Sequence, residues 1–200
     1  PGFDCIIGNP PWEKIKVEEH EFWGRHFPGH RSRSQAEQRK NVEVYRNSRP
    51  ELVLALENEQ SIAERQRIIH KSGPFDLGVG DSDLFKSFSW KFWQLVADGG
   101  YIGVVLPRSA LAALGMSSWR KAVTSGGSFE DTTLLQNRSY WVFDDMESRY
   151  TISLTTIKKS SESDNSVSTR GPFASFDDYS QGVSKPSAKF SVRQITEWNE

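Results

Sequence analysis

Between Asp83 and Pro107 a helical pattern runs straight into a strand pattern, and that junction confines the chain to a mixed α/β fold. Phe85, Phe88, Phe92, Leu95 and Val96 recur at the spacing of one helix face, which predicts a core-facing helix over about 83–97. Asp98-Gly99-Gly100 stops it, and Tyr101-Ile102-Gly103-Val104-Val105-Leu106 follows as an apolar run ended by Pro107. A run with so little polar alternation predicts a strand covered on both faces, as in sheets whose crossovers are helices. Phe3-Asp4-Cys5-Ile6-Ile7-Gly8 has the same texture and predicts a second buried strand, cut off by Gly8 and the Pro10-Pro11 pair. A helix fits about 110–124, closed by Gly126-Gly127. Phe129–Leu135 and Tyr150–Ile157 read as two more strands, joined through Tyr140-Trp141-Val142-Phe143. The order predicts a parallel sheet that ends in an antiparallel strand.

Two stretches differ from this pattern. Residues 13–80 are charged, with Trp23, Phe27, Tyr45 and Leu52 widely spaced. Within them Leu52, Ala55, Leu56, Ile62, Ala63 and Ile69 predict a helix over about 51–70, and 31–40 reads as a solvated loop or helix end. His26 and His30 stand four apart, but Phe27-Pro28-Gly29 breaks the helix that would align them, so they read as loop histidines and no metal site is expected. The arginines from Arg31 to Arg49 are interleaved with Glu37 and Glu43 and read as a solvated face before a DNA contact. After Lys159 the serines at 160, 161, 163, 166 and 168 predict a polar linker, with 190–198 as a tail or the start of a further region.

Composition narrows the function classes. Lys+Arg 25 against Asp+Glu 26 is a net charge of −1, so a nucleic-acid role has to rest on a local site rather than on bulk charge. The single cysteine, Cys5, excludes a disulfide framework and a cysteine-built zinc site, and suits a reducing cytoplasm. No apolar run approaches the roughly 18 residues of a membrane span. The chain opens Pro1-Gly2-Phe3-Asp4, with no lead-in to its first strand, and is expected to be a piece of a longer protein.

The residues that carry chemistry are Asn9-Pro10-Pro11-Trp12, directly after a strand. Ligands of open α/β sheets sit at the carboxyl ends of strands. Consecutive prolines stiffen the turn and donate no N–H, leaving the Pro10 carbonyl free to accept. The Asn9 side chain adds a second acceptor, and Trp12 a flat face for an aromatic base. Two acceptors on one planar amino group draw its nitrogen toward tetrahedral geometry and free its lone pair. The chemistry implied is alkylation of an exocyclic amine without a strong general base.

This arrangement resembles the gamma-class adenine-specific (N6) DNA methyltransferases, especially the large type II restriction–modification methylases. Residues 3–12 look like their catalytic motif IV, Asp83-Leu84-Phe85 and its aromatic helix like motif V, and Gly99–Pro107 like motif VI. The segment around Val142-Phe143, with the strand ending Lys158-Lys159, resembles motif VIII and the terminal hairpin of the sheet. The four elements fall in the family's order over residues 1–159, and the long 13–80 insert is usual in the restriction-associated members.

The resemblance implies a Rossmann-like fold that binds S-adenosylmethionine, of which this chain holds the C-terminal half of the sheet. Asn9 and Pro10 would hold the target amine, with Pro11 stiffening the turn. Trp12 and Phe143 would stack on the two faces of an extruded base, and Asp83, Leu84 and Phe85 would line the methyl-donor side. The partner implied is double-stranded DNA, from which the base must be flipped. The family's glycine-rich donor turn and its acidic partner precede motif IV and are not in these residues. Gly78-Val79-Gly80 reads instead as the turn before the motif V helix, and residues 160–200 hold at most the start of a target-recognition region. Two alternatives stand beside this reading: a protein-glutamine or RNA methyltransferase, against which the insert argues, and a non-catalytic DNA-binding or interaction module.

Overall fold

A computed structural model of the chain describes residues 2–73, 75–77, 80–162 and 166–197. Pro1, Gly78, Val79, Ser163 and the last residue of the 190–198 stretch, Trp198, lie outside the described residues. In chain order the elements are β1 (Phe3–Gly8), α1 (Glu19–His26), α2 (Gln35–Ser48), α3 (Pro50–Ser72), α4 (Leu84–Leu95), β2 (Val96–Pro107), α5 (Ser109–Ala112), α6 (Ser117–Ser125), β3 (Gly127–Gln136), β4 (Thr151–Lys159), β5 (Ser166–Phe173), α7 (Phe176–Gly182), β6 (Ala188–Ser191) and α8 (Val192–Glu197). The chain divides into two compact units, residues 14–74 and residues 1–13 with 75–200.

The larger unit is built on a six-stranded mixed sheet of order β1-β2-β4-β3-β5-β6. β1 and β2 are parallel, as are β3 and β5, while β4 runs antiparallel to both β2 and β3. The antiparallel strand therefore does not end the sheet as expected. The crossover through α5 and α6 sets β3 down one place beyond β2, and β4 returns into the gap.

The segment read as a polar linker also differs, because 166–173 are strand β5 and carry the sheet outward. Ser166 and Ser168 are buried and small enough to lie flat on one face, while Val167 packs on the main core from the other. The ladder is close. A Cβ on Gly171, at φ +86, would lie 2.5 Å from the Leu134 carbonyl oxygen, so only glycine fits there.

The main core collects Phe85, Trp93, Val96, Ile102, Val104, Leu106, Met116, Trp119 and Phe129 between the sheet and α4–α6. The expected face of α4 holds at Phe85, Phe92 and Val96, which join the main core, but Phe88 and Leu95 are partly exposed while Lys86, Ser89 and Trp93 are buried. Small Ser89 lets α6 approach, and its carbonyl accepts the indole N–H of Trp119 at 3.1 Å. α4 also ends earlier than Asp98, where the Lys159 ammonium takes the carbonyls of Trp93 and Val96 at 3.0 Å each. Leu114–Met116 form a single 3-10 turn that splits the expected 110–124 helix into α5 and α6.

β1 is not the doubly covered strand its composition predicts, since Phe3 and Ile7 are 59% and 85% exposed. Among the described residues it pairs with β2 alone. A smaller cluster of Leu135, Ile152 and Phe173 occupies the opposite face of the sheet.

The smaller unit is helical. Phe22, Trp23 and Leu56 are buried together, with Phe27 stacked on Tyr45 at 3.6 Å. The expected apolar face of α3 holds only in its first half, for Ile62 and Ile69 are exposed. α2 starts on a capping box between Ser34 and Glu37, so the stretch read as a solvated loop or helix end is a loop up to Ser34 and helix beyond it. His30 is buried with neither ring nitrogen partnered among the described residues, while the His26 ring packs on Phe22. The arginine run is ion-paired at Arg46–Glu19, Arg49–Glu51 and, loosely, Arg31–Glu21.

Candidate functional site

The parallel register sets Gly8 of β1 against Val104 of β2, so Asn9 leaves the sheet at the carboxyl end of its edge strand. Pro10 is buried, and the stiff Pro10-Pro11 pair turns the chain across the end of β2. Trp12 then anchors it: the indole N–H donates to the Val105 carbonyl at 3.3 Å, and the ring packs on both clusters of the sheet. Asn9, between the two anchors, is exposed and makes no side-chain hydrogen bond among the described residues. Its amide is held in place by the backbone and left free at the tip.

The start of α4 is brought to the same turn. The Leu84 N–H donates to the Glu13 carbonyl at 3.0 Å, one residue beyond Trp12. Phe85 is 3% exposed and serves the core, so Asp83 and Leu84 are the residues of this trio with open surface. The Asp83 carboxylate lies 3.7 Å from the ammonium of Lys86, which is buried and donates to the Asp81 carbonyl at 2.7 Å. A lysine one turn along an aromatic helix reads from sequence as a surface charge, and its burial was not foreseen. Ser82, beside it, is buried with its hydroxyl unpartnered among the described residues.

Trp12 and Phe143 pack on the same cluster of Leu135, Ile152 and Phe173. Phe143 owes its position to Asn137, which sequence reasoning missed. Asn137 is fully buried at the end of β3. Its Oδ1 accepts from the N–H groups of Val142 and Phe143 at 3.1 and 3.0 Å, and its Nδ2 donates to the carbonyls of Phe143 and Met146 at 2.9 and 2.8 Å. All of that amide's usual capacity goes to one loop. The loop is strained, with Ser139 and Tyr140 both at positive φ, a conformation that lasts only where neighbours enforce it. Trp141 is tied back by its indole N–H to the Gln136 carbonyl at 2.6 Å, and Tyr140 is half exposed. The only sequence signal for Asn137 is an asparagine just after a strand, which reads equally as a turn residue.

The structure thus places Asn9, Pro10, Pro11 and Trp12 at the carboxyl end of β1 with Asp83 and Leu84 next to them, sets Phe143 on the cluster that Trp12 also packs on, and withdraws Phe85 into the core. Among the described residues no group of three His, Cys, Asp or Glu side chains is placed to hold a metal ion. No described helix is long and apolar enough to cross a membrane.

No family model and no curated protein matches this chain. Solved structures do. A modification subunit of a putative type I restriction enzyme from Vibrio vulnificus YJ016 superposes with a TM-score of 0.53 at 12% identity, over 96% of this chain. A structure described as showing complex assembly and conformational transition of the type I R-M system gives 0.49 at 11% identity over 98% of this chain, and a DrdV–DNA complex gives 0.41 at 13% over 97%. The chain spans 34%, 36% and 16% of those three proteins, respectively. At such identity the first likeness is one of fold: this chain has an α/β fold similar to a third of a restriction-enzyme modification subunit.

Proposed function

We propose that this chain is the target-base side of a Rossmann-like DNA methyltransferase of a restriction–modification system, which moves a methyl group from S-adenosylmethionine to the N6 amine of adenine in double-stranded DNA. The observation that carries the proposal is Asn9, exposed and uncommitted at a strand's carboxyl end, between a stiff proline pair and an anchored Trp12. The likeness to a modification subunit supports the fold it needs.

In this reading the Asn9 side-chain carbonyl and the Pro10 carbonyl accept from the two hydrogens of the amine. Both bonds strengthen as the nitrogen gains positive charge, so they favour the transition state over the bound base. Trp12 and the Asn137-held Phe143 flank the extruded base, each stacking face contributing about 1–3 kcal/mol. The donor supplies an electrophilic methyl on a sulfonium. On this chain Asp83 and Leu84 would line the donor side, and the buried Ser82 hydroxyl next to them in sequence has no partner among the described residues.

The test is single-turnover methylation of an adenine-containing duplex by the protein as encoded, with whatever flanks these residues. Asn9→Ala is expected to lose about 10²–10³ in rate with little change in DNA affinity. Asn9→Asp keeps an acceptor and is expected to retain more. A fully active Asn9→Ala protein would reduce the motif to a structural turn.

A further inference from the structure

The sheet face away from the loop of Asn137 carries a cavity that the methylation chemistry does not use. It has a volume of about 530 Å3, inside the roughly 300–1,000 Å3 of small-molecule sites. β3 and β5 form its floor through Phe129, Leu134 and Val167, and α5 and α6 form its wall. Arg108, Arg120 and Lys121 stand around it. No carboxylate lines the cavity, and none of the three cations has an ion pair among the described residues. Arg120 is held in place, with Nη1 donating to the carbonyls of Ala110 and Ala113 at 3.1 and 2.8 Å. Thr132, also in the floor, is 3% exposed and its hydroxyl has no partner among the described residues.

We propose that this cavity binds a small amphipathic organic anion, its apolar body on the floor strands and its acidic head among Arg108, Arg120 and Lys121. The apolar floor excludes a free inorganic anion as the best ligand, since such an ion gains nothing from burying Leu134 and Val167. The unpaired cations exclude an amine of the same shape. The site stands apart from the turn at Asn9, so the proposal does not depend on the methyltransferase reading.

The probe is anilinonaphthalene sulfonate, an aromatic body with one anionic head, whose fluorescence rises on leaving water. Titration of the full chain is expected to saturate at one probe per chain. Octanoate is expected to displace it, while octylamine, of equal length and opposite charge, should need at least about tenfold more. The doubly substituted Arg108→Ala/Lys121→Ala protein, altered only at exposed positions, should bind the probe roughly tenfold more weakly. Leu134→Trp, which fills the cavity, should abolish binding, with an unchanged far-ultraviolet spectrum showing that the fold is kept. Equal displacement by octanoate and octylamine, or undiminished binding by the double variant, would overturn the assignment. So would displacement by a DNA duplex but not by octanoate, which would make this face a phosphate contact.

Discussion

Asn137 and Phe143 are joined at both ends of one residue: the asparagine amide accepts the Phe143 N–H at 3.0 Å and donates to the Phe143 carbonyl at 2.9 Å. The pair behaves like a short stretch of β-ladder supplied by a side chain. It fixes where the Phe143 ring leaves the backbone, which a loop of this length would otherwise leave free.

Asn137→Ala should therefore cost stability far beyond the loss of a surface amide. It strands two N–H and two carbonyl groups, and about 3 kcal/mol is expected in urea unfolding. Amide exchange at Val142 and Phe143 should quicken in the folded state. A loss below about 0.5 kcal/mol, the range of ordinary surface substitutions, would show that the loop is held elsewhere.

Phe143→Ala is expected to leave the fold standing, because the ring is only half buried. Methylation of duplex DNA should weaken by the equivalent of about 1–3 kcal/mol, one lost stacking face. Unchanged activity, with Tyr140→Ala or Trp141→Ala crippling instead, would move the base-facing role along the loop.

Removing the carboxylate at Asp83 takes away a counter-charge 3.7 Å from the buried Lys86 ammonium. Asp83→Ala is expected to destabilise the larger unit by about 3 kcal/mol. Adding Lys86→Met should restore much of that loss, since a methionine fills the site without a charge to compensate. No recovery in the double variant would mean that the pair serves something other than α4.

The capping box of α2 makes a pH prediction. Hydrogen bonds from the Ser34 hydroxyl and backbone N–H, at 2.5 and 3.1 Å, hold the Glu37 carboxyl below the usual carboxylate range. A carboxylate depressed in the folded state stabilises it above the unfolded-state pKa, and that contribution is lost as pH falls through the folded value. In Ser34→Ala the Glu37 titration, followed by carboxyl carbon resonance, should move upward. A titration that stays in place would show that the box does not form in solution.

Much of the candidate site was legible in the residues themselves. Asn9, Pro10, Pro11 and Trp12 stand at a strand's end because Phe3–Gly8 is a strand and prolines cannot continue one. Phe85 was legible only as an aromatic on a helix; which aromatics face inward depended on what packs against α4. Lys86 and Asn137 were not legible at all. A buried polar group is stable only with its partners, and those of Asn137 lie five to nine residues away in a loop without periodicity.

The sequence by itself determined that this is an α/β chain, where most strands and helices lie, and that a stiff acceptor-bearing turn follows the first strand. These are local properties: periodicity, proline and glycine act within a few residues. Only the tertiary structure decided that β4 enters between β2 and β3, that a serine-rich segment becomes β5, and that Phe3 and Ile7 face outward. Strand order and burial are set by pairings between residues far apart in the chain. Serines that look like linker from their neighbours become strand because β3 pairs with the residues between and beyond them and β6 pairs with Ser166 and Ser168 directly.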